Sequence, residues 1–278
     1  MIKLGEYQLL EVKRKADFGV YVGDEETQIL LPKKQVPKGL DVGDKIEVFV
    51  YRDSMDRLIA TVNVPAITLG KTAKLKVKQV TKIGAFLDWG LEKDLLLPFK
   101  EQTVKVKVDN EYLVALYLDK SERLCATMKI YNYLTTTSPY KAEDAVVGTV
   151  YNYNPEYGVF VAVDNKYHAM IQKKEVTKSL HIGDTVEARV LAVREDGKLD
   201  LSIRGKSYMQ IDENAEKIYS VIEKLGGKLP YTDKAAPDLI RKDFSMSKND
   251  FKKAVGRLLK ENRIVIGENS ITTKDNRK

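Results

Sequence analysis

Residues 157–170, YGVFVAVDNKYHAM, decide the fold: an aromatic–Gly–Val–aromatic step, an apolar run, a turn and a histidine. Two upstream stretches share this plan. DFGVYVGDEETQILLP runs from Asp17 to Pro32, and KIGAFLDWGLEKDLLLP from Lys82 to Pro98. Their glycines, Gly19, Gly84 and Gly158, lie 65 and 74 residues apart. A second block follows each one: DVGDKIEVFVYRDSMDRLIATV from Asp41, VDNEYLVALYLDKSERLCATM from Val108 and HIGDTVEARVLAVREDGKLDLSI from His181. Self-similarity of this kind sets the architecture before any local reading does.

In the third unit, alternating and near-continuous apolar runs predict strands over 146–153, 158–163, 167–171, 185–193 and 198–203. NPEYG, VDNK and REDGK separate them, and Asp196-Gly197 fits a tight turn. Five short strands in about 60 residues predict a small Greek-key barrel of the OB type. The glycine between the aromatics suits a bulge or a sharp bend.

Each unit resembles an S1 RNA-binding domain, a subtype of the OB fold. The resemblance rests on Gly-x-aromatic after a short strand, on Val42-Gly43-Asp44 and Ile182-Gly183-Asp184, and on LDLSIR at Leu199 to Arg204. The third unit matches best. In the second the aspartate block has become VDNE, and LIATV in the first unit and LCATM in the second replace the usual closing strand. The resemblance implies that two aromatics on adjacent strands form a platform for bases, with a histidine and a basic side chain beside it. Tyr157 and Phe160 take the platform positions of the third unit, with His168 and Lys198 as neighbours. Phe18, Tyr21 and Arg57 take them in the first, where the histidine position falls near Gln28. The second offers Phe86 and Arg123; Ile83 replaces its first aromatic and Asp94 falls near the histidine position, which argues against strong base contact there.

An exposed aromatic face gives sequence-tolerant stacking worth ~1–3 kcal/mol per base, and a flanking cation neutralises phosphate. Single strands suit such a surface because their bases are free to stack. The bland alternative stays open. A strand aromatic is more often core than platform, and strand alternation need not bring Tyr157 and Phe160 to one face without a bend at Gly158. A lone histidine is more often a satisfied structural residue than a contact.

After Arg204 the pattern turns helical. Ala215, Ile218, Ile222 and Leu225 make one stripe, stopped by Gly226-Gly227. Asp233 is the predicted cap of a second helix with Leu239 and Ile240 as core. Ser247 and Asp250 have capping spacing for a third, in which Phe251, Ala254, Val255, Leu258 and Leu259 follow helical periodicity. RIVIGENSITT reads as a hairpin around Gly267-Glu268-Asn269. Three helices and a hairpin are the order of a winged helix. Its third helix carries Lys248, Lys252, Lys253, Arg257 and Lys260, and Arg263 adds to them from the wing. The plain alternative is that lysine is common on any solvated helix face.

The predicted fold is therefore mainly β with a small α+β tail: S1-like units over residues 1–66, 67–140 and 141–205, and a winged helix over 206–278. That combination, with MSKNDFKKAVGRLLKENRI as its most specific stretch, resembles the conserved virulence factor B family of YitL-like bacterial RNA-binding proteins. The resemblance implies an RNA-binding regulator of gene expression.

Composition agrees with this reading. Formal net charge is +7 over 278 residues, and the excess sits in residues 71–140 (net +4) and 205–278 (net +5), where an electrostatic footprint for polyanions belongs. The single cysteine, Cys125, allows no intrachain disulfide and no cysteine zinc site. The N-terminal stretch lacks a signal-peptide pattern, and no apolar run reaches membrane-span length, so a soluble cytoplasmic protein without membrane association is expected. Only His168 and His181 could serve a histidine acid–base pair, there is no phosphate-binding GxxxxGK[ST] loop, and acidic residues are scattered. An enzyme is not expected, nor a metal or other cofactor. The expectation is a monomeric, multivalent binder of single-stranded RNA. The rivals are a winged-helix regulator on duplex DNA, and a protein that docks on ribosomal or polymerase subunits.

Overall fold

The computed structural model describes residues 2–176, 179–203 and 206–274, with backbone only for 206–209. Arg204, the last residue of the LDLSIR motif, lies outside them. The chain divides into two compact units, residues 1–203 and 204–278.

The first unit holds three five-stranded barrels. In the first, β1 (Tyr7–Ala16), β2 (Gly19–Gly23), β3 (Gln28–Pro32), β4 (Lys45–Arg52) and β5 (Leu58–Thr61) close in the order β1-β2-β3-β5-β4. The second uses β6 (Thr72–Val80), β7 (Gly84–Asp88), β8 (Leu95–Pro98), β9 (Glu111–Leu118) and β10 (Leu124–Thr127). Its hydrogen bonds run β10-β9-β6-β7-β8, and β8 packs beside β10 without a ladder between them among the described residues. The third closes like the first, from β11 (Ala145–Asn154), β12 (Gly158–Val163), β13 (Tyr167–Gln172), β14 (Thr185–Val193) and β15 (Leu199–Ser202).

The second repeated block meets the first strand at one place in each barrel. The first strand carries a bulge between Val12 and Arg14, between Val77 and Gln79, and between Val150 and Asn152. The Val-Gly-Asp block clips onto it: Gly43 N–H donates to Val12 O and Val12 N–H to Asp44 O, at 2.9 and 2.8 Å. Gly183, Val150 and Asp184 repeat this with both bonds at 2.9 Å. The second barrel keeps the clip with altered residues. Asp109 donates to Val77 O, and Val77 to Asn110 O, with Asp109 in the left-handed conformation (φ 68°) that glycine holds in the other two. Aspartate is among the few side chains that tolerate it. The degenerate VDNE thus preserves the geometry of the block.

The bulges lie on the first strands, whereas the glycine between the aromatics does a different job. Gly158 has φ +133°, and a Cβ there would sit 2.2 Å from the Ile171 carbonyl oxygen. Gly19 and Gly84 meet Leu31 O and Leu97 O in the same way. Glycine lets the second strand turn tightly against the third, so the residue before it swings outward.

The barrels are fused. Phe49 and Tyr51 point out of the first barrel onto Trp89 of the second, with ring centroids 5.9 and 6.1 Å apart, and all three are buried in the second barrel's core. Between the second and third barrels, Leu113, Ala115, Ile130 and Leu134 bury against Tyr151 and Ala162. Thr72 donates to Asn165 O, and Lys74 Nζ to Thr185 Oγ1 at 3.0 Å.

The second unit runs α1 (Lys206–Lys224), β16 (Lys228–Leu229), α2 (Pro237–Phe244), α3 (Lys248–Lys260), β17 (Ile264–Ile266), β18 (Ile271–Thr273), with sheet order β16-β18-β17. Ser247 caps α3, its hydroxyl accepting from Asp250 N–H at 3.1 Å. Ile218, Ile222, Ile240, Phe244, Phe251, Val255 and Leu258 form the core. Three sequence expectations need correction. The N-cap of α2 is Ala236, followed by Pro237, so Asp233 lies ahead of the helix; proline's fixed φ starts the helix without a capping side chain. Leu225, Leu239 and Leu259 are exposed, Leu225 because α1 has already ended. The short strand β16, too brief to show a period, completes the sheet.

Candidate nucleic-acid interface

In each barrel the candidate residues lie at the start of the second strand, on the second and third strands, and in the turn before the fifth. In the first barrel Phe18 is exposed and meets Tyr21 edge-on at 6.1 Å. The cation beside them is Arg14, whose guanidinium lies 3.5 Å from the Tyr21 ring centroid while its Nε donates to Gln28 Oε1 at 3.2 Å. Arg14 is the cross-strand partner of Tyr21, a register readable from the tight β1–β2 turn but missed by position-by-position carry-over. Arg57 sits in the β4–β5 turn, held by Asp53 through Nε (3.0 Å) and Nη2 (2.7 Å). Burial pushes the Asp53 carboxyl up, but the Arg57 side chain together with the backbone N–H groups of Arg57 and Met55 outweighs it and holds the group below its usual range.

In the second barrel Ile83 is exposed and Phe86 half-buried. Arg123 reaches back to Asp56 of the first barrel at 3.2 Å, and Asp94 accepts from Lys78 at 2.8 Å. The first barrel's Tyr51, Arg52 and Asp56 line a cavity of about 290 Å³ together with Ile83, Phe86 and Arg123, so this face is partly roofed.

In the third barrel Tyr157 is 60 % exposed. Phe160 is half-buried and packs on Tyr151 at 6.1 Å. His168 departs from its expected place beside an open platform: it is 7 % exposed. Tyr131, from the short 3-10 turn Tyr131–Tyr133 after the second barrel, covers it with ring centroids 4.6 Å apart. Burial, then the nearby Lys198 ammonium, pushes the imidazole below its usual pKa and keeps it neutral. Lys198 Nζ lies 5.8 Å over the exposed Tyr131 ring and pairs with Asp196 at 2.9 Å. Tyr131 carried no sequence signal, because its turn has no period and its partner lies in the next barrel. Arg57, Arg123 and Lys198 are structural equivalents: each closes the turn before the last strand through its carbonyl, which accepts from Asp53, Asp119 and Arg194 N–H.

On the winged helix, Lys252, Lys253 and Lys260 are exposed along α3, and Lys248 is half-buried with Nζ 3.4 Å from Lys234 O. The two arginines are engaged within the unit. Arg257 bonds Asp212 and Glu261, both at 2.9 Å. Arg263 pairs with Glu216 and lies over Tyr219, 4.1 Å from the ring centroid. They brace α1 against α3 and the wing, so of the basic residues expected on the exposed face of the third helix, Arg257 is turned inward to these partners.

These features define a chain of S1-type barrels followed by a winged helix, domain classes that bind nucleic acid. The S1 domain model matches residues 4–63 and 69–129, the S1 RNA binding domain model matches 140–204, and the CvfB-like winged helix domain model matches 216–272. None of these is a catalytic family. The chain belongs to the conserved virulence factor B (YitL) family. It is 31% identical over 269 residues to YitL of Bacillus subtilis (strain 168), covering 94% of this chain and 90% of that protein. It is 28% identical over 242 residues to conserved virulence factor B of Staphylococcus aureus (strain N315), covering 84% and 80%. In fold it is similar to a crystal structure of a multidomain protein with nucleic acid binding domains from Streptococcus pneumoniae TIGR4: TM-score 0.51, 24% identity, 97% of this chain and 98% of that one. No helix among the described residues is long and apolar enough to cross a membrane.

Proposed function

We propose that this protein is a non-catalytic, multivalent binder of single-stranded RNA that regulates gene expression post-transcriptionally. The observation that carries the reading is the pair of exposed aromatics, Phe18 and Tyr157, at equivalent turns of two barrels. Beside Phe18, Arg14 lies over the Tyr21 ring, and in the third barrel Lys198 lies over the Tyr131 ring. A stacking plane next to a phosphate-neutralising charge is what an unpaired strand needs and a duplex cannot use. Phe18, Tyr21, Tyr157 and Phe160 supply the planes; Arg14 and Lys198 supply charge. The roofed second barrel contributes as a spacer, with Phe86 and Arg123 in its wall. Lys252 and Lys253 add phosphate contacts from the winged helix. Weak modules on one monomeric chain gain avidity through effective concentration.

The test is fluorescence anisotropy of the full chain with single-stranded RNA, single-stranded DNA and duplex DNA at two salt concentrations. Salt-sensitive binding with RNA preferred over duplex is expected. A duplex preference would move the reading to the winged helix, whose exposed α3 lysines favour that second reading. Binding to none of the three would leave docking on a protein assembly.

A further inference from the structure

Tyr131, Tyr151 and Phe160 line two adjoining cavities between the second and third barrels, one of about 350 Å³ and one of about 80 Å³. The larger is within the ~300–1,000 Å³ range of small-ligand sites. Its aromatic walls come from both barrels, and Asn132 and Asn152 stand exposed at its edge. Of these three aromatics Tyr151 is the most buried, 5 % exposed, and its hydroxyl has no hydrogen-bond partner among the described residues. A buried hydroxyl left unmatched is a costly arrangement in a folded protein, and a bound group that completes it removes the cost. The smaller cavity adds Lys198, the cation over Tyr131.

We infer that this inter-barrel pocket takes one unstacked nucleobase of the bound RNA, stacked by Tyr131 and Phe160 and hydrogen-bonded by the Tyr151 hydroxyl. The inference rests on the RNA-binding reading above and adds a base-reading position that neither barrel makes alone. The open aromatics Phe18 and Tyr157 stack without discrimination. A recessed hydroxyl meets a base edge, and edges differ in their donors and acceptors. Amides at the rim, Asn132 and Asn152, offer both a donor and an acceptor to the same edge.

The test uses the full chain with homopolymeric A, C and U oligoribonucleotides of about twelve residues, within the ~4–16 nucleotides that OB folds cover, and with the matching mononucleotides. Tyr131→Ala is expected to weaken the oligomers about 5- to 150-fold, the range for one base stack. Tyr151→Phe removes one oxygen and keeps the ring. It is expected to change the affinity ratios among the three oligomers by about 2- to 10-fold, the range for one hydrogen bond. A U oligomer carrying 5-iodouridine is expected to crosslink to Tyr131, Tyr151 or Phe160 in the unsubstituted chain, a readout independent of variant folding. If both variants bind like the parent and crosslinks fall only elsewhere, while Tyr157→Ala weakens binding, the pocket is overturned and the RNA-binding function stands. If the parent binds no RNA, both fall. A mononucleotide that binds as tightly as its oligomer would reassign the pocket to free nucleotides and overturn the RNA-base assignment.

Discussion

Tyr131 and His168 pack against each other with ring centroids 4.6 Å apart and planes tilted by 57°, although one follows the last strand of the second barrel and the other is in the third. The contact ties stability to pH. His168 has a pKa below 6.5 in the folded chain because burial and Lys198 disfavour its cation; the unfolded chain binds the proton more readily. Stability is therefore full above about pH 6.5 and declines as pH falls below it toward the folded pKa. Melting temperature measured from pH 7.5 to 5 should fall less steeply in His168→Gln than in the parent. Equal slopes would mean that other groups control the acid limb.

Phe18→Ala and Tyr157→Ala should each weaken RNA binding by about 5- to 150-fold and leave melting temperature nearly unchanged, since both side chains are exposed. Anisotropy and thermal melts on the same samples check this. Unchanged affinity in both would exclude the open aromatics as stacking planes.

Lys252→Glu with Lys253→Glu should lower affinity and flatten the dependence of log K on log salt by roughly one for each phosphate no longer neutralised. Arg257→Glu should act differently. It breaks the bonds to Asp212 and Glu261 and should cost about 1–3 kcal/mol of stability, read by urea denaturation. A stability-neutral Arg257→Glu that weakens binding would restore this arginine to the binding face.

Gly158→Ala should destabilise the third barrel by about 2–4 kcal/mol, because it combines backbone strain with a clash on Ile171 O at 2.2 Å. Urea denaturation measures the loss. A variant as stable as the parent would show that the strand can turn without glycine.

Phe49→Ala should cost about 3–5 kcal/mol, as for other large buried aromatics. Hydrogen exchange should rise in β7 as well as β4, because Phe49 is buried against Trp89. Faster exchange confined to the first barrel would contradict the shared core.

Much of the fold was legible because its rules are local. Strand alternation and the Asp196-Gly197 turn located the third barrel's strands to within one residue at most ends, and Ser247 with Asp250 marked the start of α3. What escaped depends on partners far apart in sequence. The burial of His168 is set by Tyr131, the clip on each bulge joins residues distant along the chain, Val12 to Asp44 and Val150 to Asp184, and the engagement of Arg263 needs Glu216 on α1. Asp233 misled because a proline can begin a helix without a cap. The candidate site was legible as equivalent positions in a repeat; which cation stands on which ring was not, since that depends on cross-strand register at Arg14 and on a turn borrowed from the neighbouring barrel.

The burial of Phe49 and Tyr51 against Trp89 also bears on how such a gene can change. A recombination joint between residues 61 and 72 would separate β5 from β6 and strip Trp89 of its contacts with Phe49 and Tyr51. The first two barrels are therefore a single heritable piece. Duplication could lengthen the protein only by adding units at other joints, or by copying these two together.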